Sequence, residues 1–182
     1  VEYEVAYAPG KYGQAFEIAD VNDYPKIIVE YSSVSDDLMA TYDGMTIACW
    51  AKPTYIAPDG GGNYGDSWMV VYNGRAYMQA DGDGNVNFMT RTSLHNLEGT
   101  SNINDGQWHH LAVVYDGNNK YVYVDGQLDN AEYLTDDAMD PRYHYDLFIG
   151  GYQSSIKTIE GLIDDVAIWN RALTASDIQN VY

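Results

Sequence analysis

The sequence predicts an all-β protein: a two-sheet antiparallel sandwich with a short C-terminal helical turn, built as one domain over residues 1–182. Three observations carry this. Short runs rich in Val, Ile, Tyr, Thr and Phe alternate with Gly, Asn and Asp clusters from one end of the chain to the other. The 17 glycines are spread among the turns rather than gathered into a linker, and no segment repeats. The length, 182 residues, gives room for one good core, a size that all-β sandwiches commonly reach as a single domain.

Taken in order, the predicted strands are Ala15 to Ile18, Lys26 to Glu30, Met45 to Lys52, Trp68 to Tyr72, Arg75 to Ala80, Asn85 to Thr90, Trp108 to Tyr115, Lys120 to Val124, Asp146 to Gly150 and Leu162 to Trp169. Two hairpins are specified by their turns. Asp81-Gly82-Asp83-Gly84-Asn85 and Asp116-Gly117-Asn118-Asn119 each lie between a pair of apolar runs and supply residues that tolerate positive φ. Asp125-Gly126 marks a further reversal. The helical signal is Thr174-Ala175-Ser176-Asp177-Ile178, with Thr174 as the N-cap and Asp177 reaching back to it.

Nine basic against 27 acidic residues give a formal charge of −18, which repels phosphate backbones and anionic lipid and argues against nucleic acid as a partner. No run approaches the eighteen or so apolar residues of a membrane span. With Cys49 the sole cysteine, no intrachain disulfide can form; in Ile47-Ala48-Cys49-Trp50 it reads as a small core residue rather than a nucleophile. The chain begins at Val1 without a basic, then apolar, leader, so any signal peptide is expected to lie outside it.

The C-terminal stretch Glu160-Gly161-Leu162-Ile163-Asp164-Asp165-Val166-Ala167-Ile168-Trp169 poses the sharpest question. Regular alternation puts Leu162, Asp164, Val166 and Ile168 on one face, and Ile163, Asp165, Ala167 and Trp169 on the other. A carboxylate then points inward beside apolar residues, where it needs a cation, a metal or backbone N–H groups.

Several segments, in order, carry a resemblance. Gly10-Lys11-Tyr12-Gly13-Gln14-Ala15-Phe16, Met45-Thr46-Ile47-Ala48-Cys49-Trp50-Ala51-Lys52-Pro53, Asp105-Gly106-Gln107-Trp108-His109-His110-Leu111-Ala112-Val113-Val114-Tyr115-Asp116-Gly117, Tyr121-Val122-Tyr123-Val124-Asp125-Gly126 and Phe148-Ile149-Gly150-Gly151 precede the terminal stretch. Together they resemble the laminin G-like, concanavalin A-like jelly roll in its bacterial form. The resemblance spans about Gly10 to Tyr182 and implies two curved, apposed antiparallel sheets with a rim of loops. Its members act as glycan-binding modules, as adhesion or receptor domains, and in related families as glucanases and lyases.

The resemblance also implies a structural Ca²⁺ tying an N-terminal loop to the final strand. The matching positions are Asp20 and Asn22 in Asp20-Val21-Asn22-Asp23-Tyr24, with Asp164 and Asp165. Six to eight carboxylate, amide and carbonyl oxygens suit that ion. The alternative is that Asp164 accepts N–H bonds at a strand end and Asp20 shapes a turn. Asp81 to Asn85 fails as an EF-hand loop, because Val86 and Thr92 stand where glycine and glutamate are needed. His109 and His110 are adjacent in a strand, face opposite ways, and do not chelate one ion together.

No Glu-x-Asp-x-x-Glu strand of the related hydrolases occurs here, and a glycosidase needs two carboxyls about 5 to 10 Å apart. Eighteen tyrosines and four tryptophans against three phenylalanines favour rings that stack on sugars while hydrogen-bonding hydroxyls. The ligand-facing candidates are Tyr64, Trp68, Tyr72, Tyr77, Arg91, His95, Tyr143, Tyr145 and Tyr152, whereas Trp50, Trp108 and Trp169 are read as packing. The sequence thus points to a Ca²⁺-stabilised, non-catalytic polysaccharide-binding module of a larger secreted or cell-surface protein. The alternatives are a protein-recognising adhesion domain and a small lyase or hydrolase.

Overall fold

The apolar run from Met45 to Ala51 is the centre of the structure. In a computed structural model, residues 6–19, 26–30, 44–56, 67–72, 76–90, 96–133, 146–151 and 159–182 are described. They form strands β1 (Ala6–Pro9), β2 (Gln14–Ile18), β3 (Ile27–Val29), β4 (Met45–Ile56), β5 (Ser67–Tyr72), β6 (Ala76–Ala80), β7 (Asn85–Thr90), β8 (Asn96–Asn102), β9 (His109–Tyr115), β10 (Asn119–Val124), β11 (Gln127–Tyr133), β12 (Leu147–Ile149) and β13 (Ile159–Trp169). Helix α1 (Ala175–Val181) follows. One sheet has the order β1-β2-β13-β4-β9-β10-β11, the other β3-β12-β5-β6-β7-β8, and the paired strands are antiparallel. This is the jelly-roll sandwich that the sequence predicts.

Alternation along β4 and its neighbour β9 divides the two faces of the seven-stranded sheet. Ile47, Cys49 and Ala51 point inward with Leu111, Val113 and Tyr115, against Met78, Val86, Phe88 and Ile149 of the other sheet. Burying each such aliphatic or aromatic side chain contributes about 1.5–3 kcal/mol. Burial also pushes the Cys49 thiol up to about 12, so it stays protonated and inert, a core residue as its sequence context suggests. The opposite parity, Ala48, Ala112, Val114 and Tyr123, meets Leu173 and Ile178, so α1 lies on the outer face of the seven-stranded sheet.

The turns follow their sequence signals. Asp81 Oδ1 accepts the N–H groups of Asp83 and Asn85, and Asp116 Oδ1 accepts those of Asn118 and Asn119. Asp125 and Gly126, at φ 50° and 73°, make the two-residue reversal from β10 to β11. At the helix, the Thr174 hydroxyl accepts from Asp177 N–H while Asp177 Oδ2 accepts from Thr174 N–H, a complete capping box. Three strands that the sequence does not predict, β1, β8 and β11, are all sheet edges. β8 and β11 are polar and β1 is four largely exposed residues, so none carries the apolar alternation of a strand buried on a face.

The alternation expected of β13 breaks at its centre. Asp164 pairs with Trp50 and Ala167 with Ala48, so Asp165 and Val166 together oppose Cys49: a β-bulge, with Asp165 at φ 47°. Ile159 and Ile163 face the core before the bulge, and Val166 and Ile168 pack against it afterwards. Asp164 therefore does not share a face with Val166 and Ile168. It lies on the outer side with Trp50, 5 % exposed, its Oδ2 accepting Tyr12 N–H at 3.1 Å and its Oδ1 accepting Asp165 N–H at 2.9 Å. Gly10 has no side chain because a Cβ there would run into that same Asp164 oxygen.

Removing this carboxylate leaves a partly buried N–H without its acceptor. Asp164→Ala is expected to destabilise the domain by about 1–3 kcal/mol, read as a lower midpoint in urea with an unchanged slope. An unchanged midpoint would show that the Gly10–Gly13 turn needs no such anchor.

Candidate functional site

Three of the predicted ligand-facing residues lie in described strands, all in the six-stranded sheet. Trp68 and Tyr72 lie in β5, paired with Gln79 and Ala76 of β6. Tyr77 of β6 has the outward parity expected of it but is only 4 % exposed, packed with Met89 and Phe148 of the flanking strands. A sugar reaching that ring would have to approach over Met89 and Phe148.

Tyr64, Arg91, His95, Tyr143, Tyr145 and Tyr152 lie outside the described residues, but the strands that bracket them are described. Tyr72, Ala76, Thr90 and Leu147 stand at one end of the six-stranded sheet, by the registers Tyr72↔Ala76, Ala76↔Thr90 and Phe148↔Val71. Arg91 and His95 belong to the segment that leaves β7 there, and Tyr143 and Tyr145 to the one that enters β12 there. Tyr64 and Tyr152 belong to segments that join β5 and β12 at the other end.

Of the expected calcium ligands, Asp20 and Asn22 also lie outside the described residues. Asp165 is exposed, within the bulge itself. Asp164 already accepts Tyr12 N–H, and β2 pairs with β13 through Phe16↔Ile163, Glu17↔Leu162 and Ile18↔Gly161. Among the described residues no group of three or more His, Cys, Asp or Glu side chains is placed to hold a metal.

Four aspartates are held below the ordinary carboxylate value. Gln107 N–H and His109 do this for Asp105, and Thr174 and Arg171 for Asp177. For Asp116 and Asp129, partial burial pulls upward but is outweighed by donors, from Asn118, Asn119 and Tyr121 in one case and Thr100 and Ser101 in the other. A general acid working near neutrality needs the opposite shift.

On the outer face of the seven-stranded sheet lies an aromatic cluster built on a residue that the sequence places in the packing class. Trp50, 4 % exposed, has Tyr182 stacked on it at 5.6 Å and 27°, His110 edge-on at 5.3 Å and Tyr12 edge-on at 6.2 Å. The Lys11 ammonium sits 3.9 Å from the centre of its ring, a cation–π contact. Beside the cluster is a cavity of about 390 Å³, also lined by Asp165 and Trp169. The signal available in the sequence is parity: with Cys49 inward, Ala48 and Trp50 face out, and a small residue beside a large one leaves room.

His109 faces the other way. Its Nδ1 lies 2.9 Å from Asp125 Oδ2 and its Nε2 3.0 Å from Asp105 Oδ1, while Asp125 Oδ1 accepts His110 N–H. The adjacent histidines thus share no site, as their strand parity requires.

A family model described as the concanavalin A-like lectin/glucanases superfamily matches residues 29–179. The fold matches the binding domain of Paraclostridial Mosquitocidal Protein 1 (TM-score 0.77, 15 % identity) over 100 % of this chain and 46 % of that one. It matches domain 4 of AbnA, a GH43 extracellular arabinanase from Geobacillus stearothermophilus solved with arabinotriose (TM-score 0.72, 20 % identity), over 98 % and 81 %. The binding domain of Botulinum Neurotoxin DC in complex with SialylT matches at TM-score 0.72 and 15 % identity over 99 % and 44 %. The chain spans less than half the length of each toxin domain. No curated protein sequence matches it.

The two histidines are expected to give pH dependences of opposite sign. Partial burial lowers the His109 pKa, but Asp125 and Asp105 together outweigh it and leave the value raised. Its stabilisation is full below the unfolded value of about 6.5 and fades as pH rises through the folded value. Burial holds His110 low against the opposing pull of Asp125, so it costs stability as pH falls below about 6.5. Urea midpoints against pH test this. His109→Gln should flatten the loss on the alkaline side and His110→Phe the loss on the acid side; identical profiles for wild type and both variants would refute it.

Proposed function

The chain belongs to the concanavalin A-like lectin/glucanases superfamily, and on that scaffold we propose that it is a non-catalytic carbohydrate-binding module. The observation that supports this reading is the position of Tyr72 at the end of β5, where β7 stops and β12 begins on either side. Tyr72 ends β5 at the rim where the segments bearing Arg91, His95, Tyr143 and Tyr145 join their strands. Tyrosine rings stack on the apolar face of a sugar while their hydroxyls, with Arg and His, hydrogen-bond its rim. Two structures of the same fold, domain 4 of AbnA solved with arabinotriose and the Botulinum Neurotoxin DC binding domain solved with SialylT, support it.

The extracellular arabinanase among the matched structures supports placing the chain in a larger secreted or cell-surface polypeptide. Among the described residues no helix is long and apolar enough to cross a membrane. Calcium belongs to the proposal as a stabiliser. The exposed Asp165 carboxylate, and the lone pairs that Asp164 does not give to N–H groups, are the oxygens this side of the fold would offer it.

A glycan array with soluble arabinan, glucan, galactan and sialylated oligosaccharides tests the reading. Saturable binding to at least one glycan is expected, weakened about tenfold or more in Tyr143→Ala/Tyr145→Ala, the size of one or two lost ring contacts. Binding to no glycan overturns it, and new reducing ends or unsaturation on incubation would convert it to an enzyme. In the same preparation, EDTA is expected to lower Tm and Ca²⁺ to restore it; an unchanged Tm removes the metal from the proposal.

A further inference from the structure

The cavity beside Trp50 is separate from the six-stranded sheet, and several of its features suit a ligand. At about 390 Å³ it falls at the small end of ligand pockets, which run from about 300 to 1,000 Å³. Its walls are rings: Trp169 is partly exposed, Tyr12 is 58 % and Tyr182 50 % exposed. Its floor is polar at one point. His110 is 3 % exposed and edge-on to Trp50, and its Nδ1 has no hydrogen-bond partner among the described residues. A buried polar atom left in that state costs free energy that a ligand hydroxyl would recover. Exposed Asp165 and Asn180 stand at the mouth and offer a carboxylate and an amide.

We propose that this cavity is a second carbohydrate site, taking one neutral pyranose ring with its apolar face on Trp169 and Tyr182 and a hydroxyl bonded to His110 Nδ1. Neutrality follows from charge. Lys11 is laid over the Trp50 ring, and a chain charge of −18 repels an anionic sugar. Ring stacking and hydroxyl bonding need both kinds of group within one small cavity, and here they converge. Asp164 acts as a positioning residue: by accepting Tyr12 N–H it fixes the turn that carries Lys11 and the Tyr12 wall. The site deepens the carbohydrate-binding reading but does not share residues with the rim proposed above.

Titrating the intact protein with methyl β-D-glucopyranoside, methyl β-D-galactopyranoside and methyl α-D-mannopyranoside tests it, read by tryptophan fluorescence and by ¹⁵N shifts of the His110 imidazole. One of these is expected to give a saturable, millimolar change in both signals. Tyr182→Ala and Asn180→Ala alter exposed side chains, so the fold should survive, and each is expected to weaken binding several-fold to about tenfold. Tyr133→Ala, on β11 and 68 % exposed, should leave it unchanged. No saturable change with any of the three, or a change that persists in Tyr182→Ala and Asn180→Ala, overturns the second site. The glycan array with Tyr143→Ala/Tyr145→Ala reads the rim separately, so either site can fail alone.

Discussion

Short aspartate side chains accepting backbone N–H groups hold this sandwich at its corners. Asp81 and Asp116 close two hairpins, Asp105 shapes the approach to β9, and Asp125 joins its own turn to His110 N–H. Asp164 anchors the N-terminal turn to the last strand. A turn leaves N–H groups that neither sheet nor helix satisfies, and an ionised carboxylate is a strong acceptor with room for several. Much of what composition reports as acidity is therefore local architecture. The charge of −18 does not by itself imply a cation, because many of these oxygens already have donors.

Most central strands and both long-signalled hairpins are legible in the sequence because burial on one face imposes a period of two, and Asp-Gly and Asn residues mark reversals. Edge strands escape notice for the same physical reason. β8 (Asn-Leu-Glu-Gly-Thr-Ser-Asn) and β11 (Gln-Leu-Asp-Asn-Ala-Glu-Tyr) pair on one side only and carry polar side chains, so their periodicity is faint. The bulge in β13 is hidden differently. A strict alternation rule has no way to register two residues opposite one, and Asp165 in a left-handed conformation shifts every later side chain to the other face.

The candidate site is less legible than the fold. For Tyr77 the sequence gets the parity right and the exposure wrong, since parity fixes direction while Met89 and Phe148 on the neighbouring strands decide access. Trp50 and Trp169 read as packing because they lie in motif strands, yet Trp50 anchors an aromatic cluster and both line its cavity. Contact between Tyr12, His110 and Tyr182 depends on three elements far apart in sequence, and only the sheet order β2-β13-β4-β9 makes them neighbours.

The strap between the two sheets is one-sided. Asp129 on β11 accepts from the backbone and hydroxyl groups of Thr100 and Ser101 on β8, and the Asn130 amide donates to Glu98 carbonyl oxygen. Gly99 lets the strap close, since a Cβ there would meet Asp129 and the Val86 carbonyl. One long margin of the sandwich is thus sewn shut, like the spine of a book. At the opposite margin β1 and β3 end their sheets, with Tyr7 and Ile28 turned to solvent. Parting the two sheets at the β8–β11 margin would have to break those side-chain bonds as well as the apolar packing beneath them.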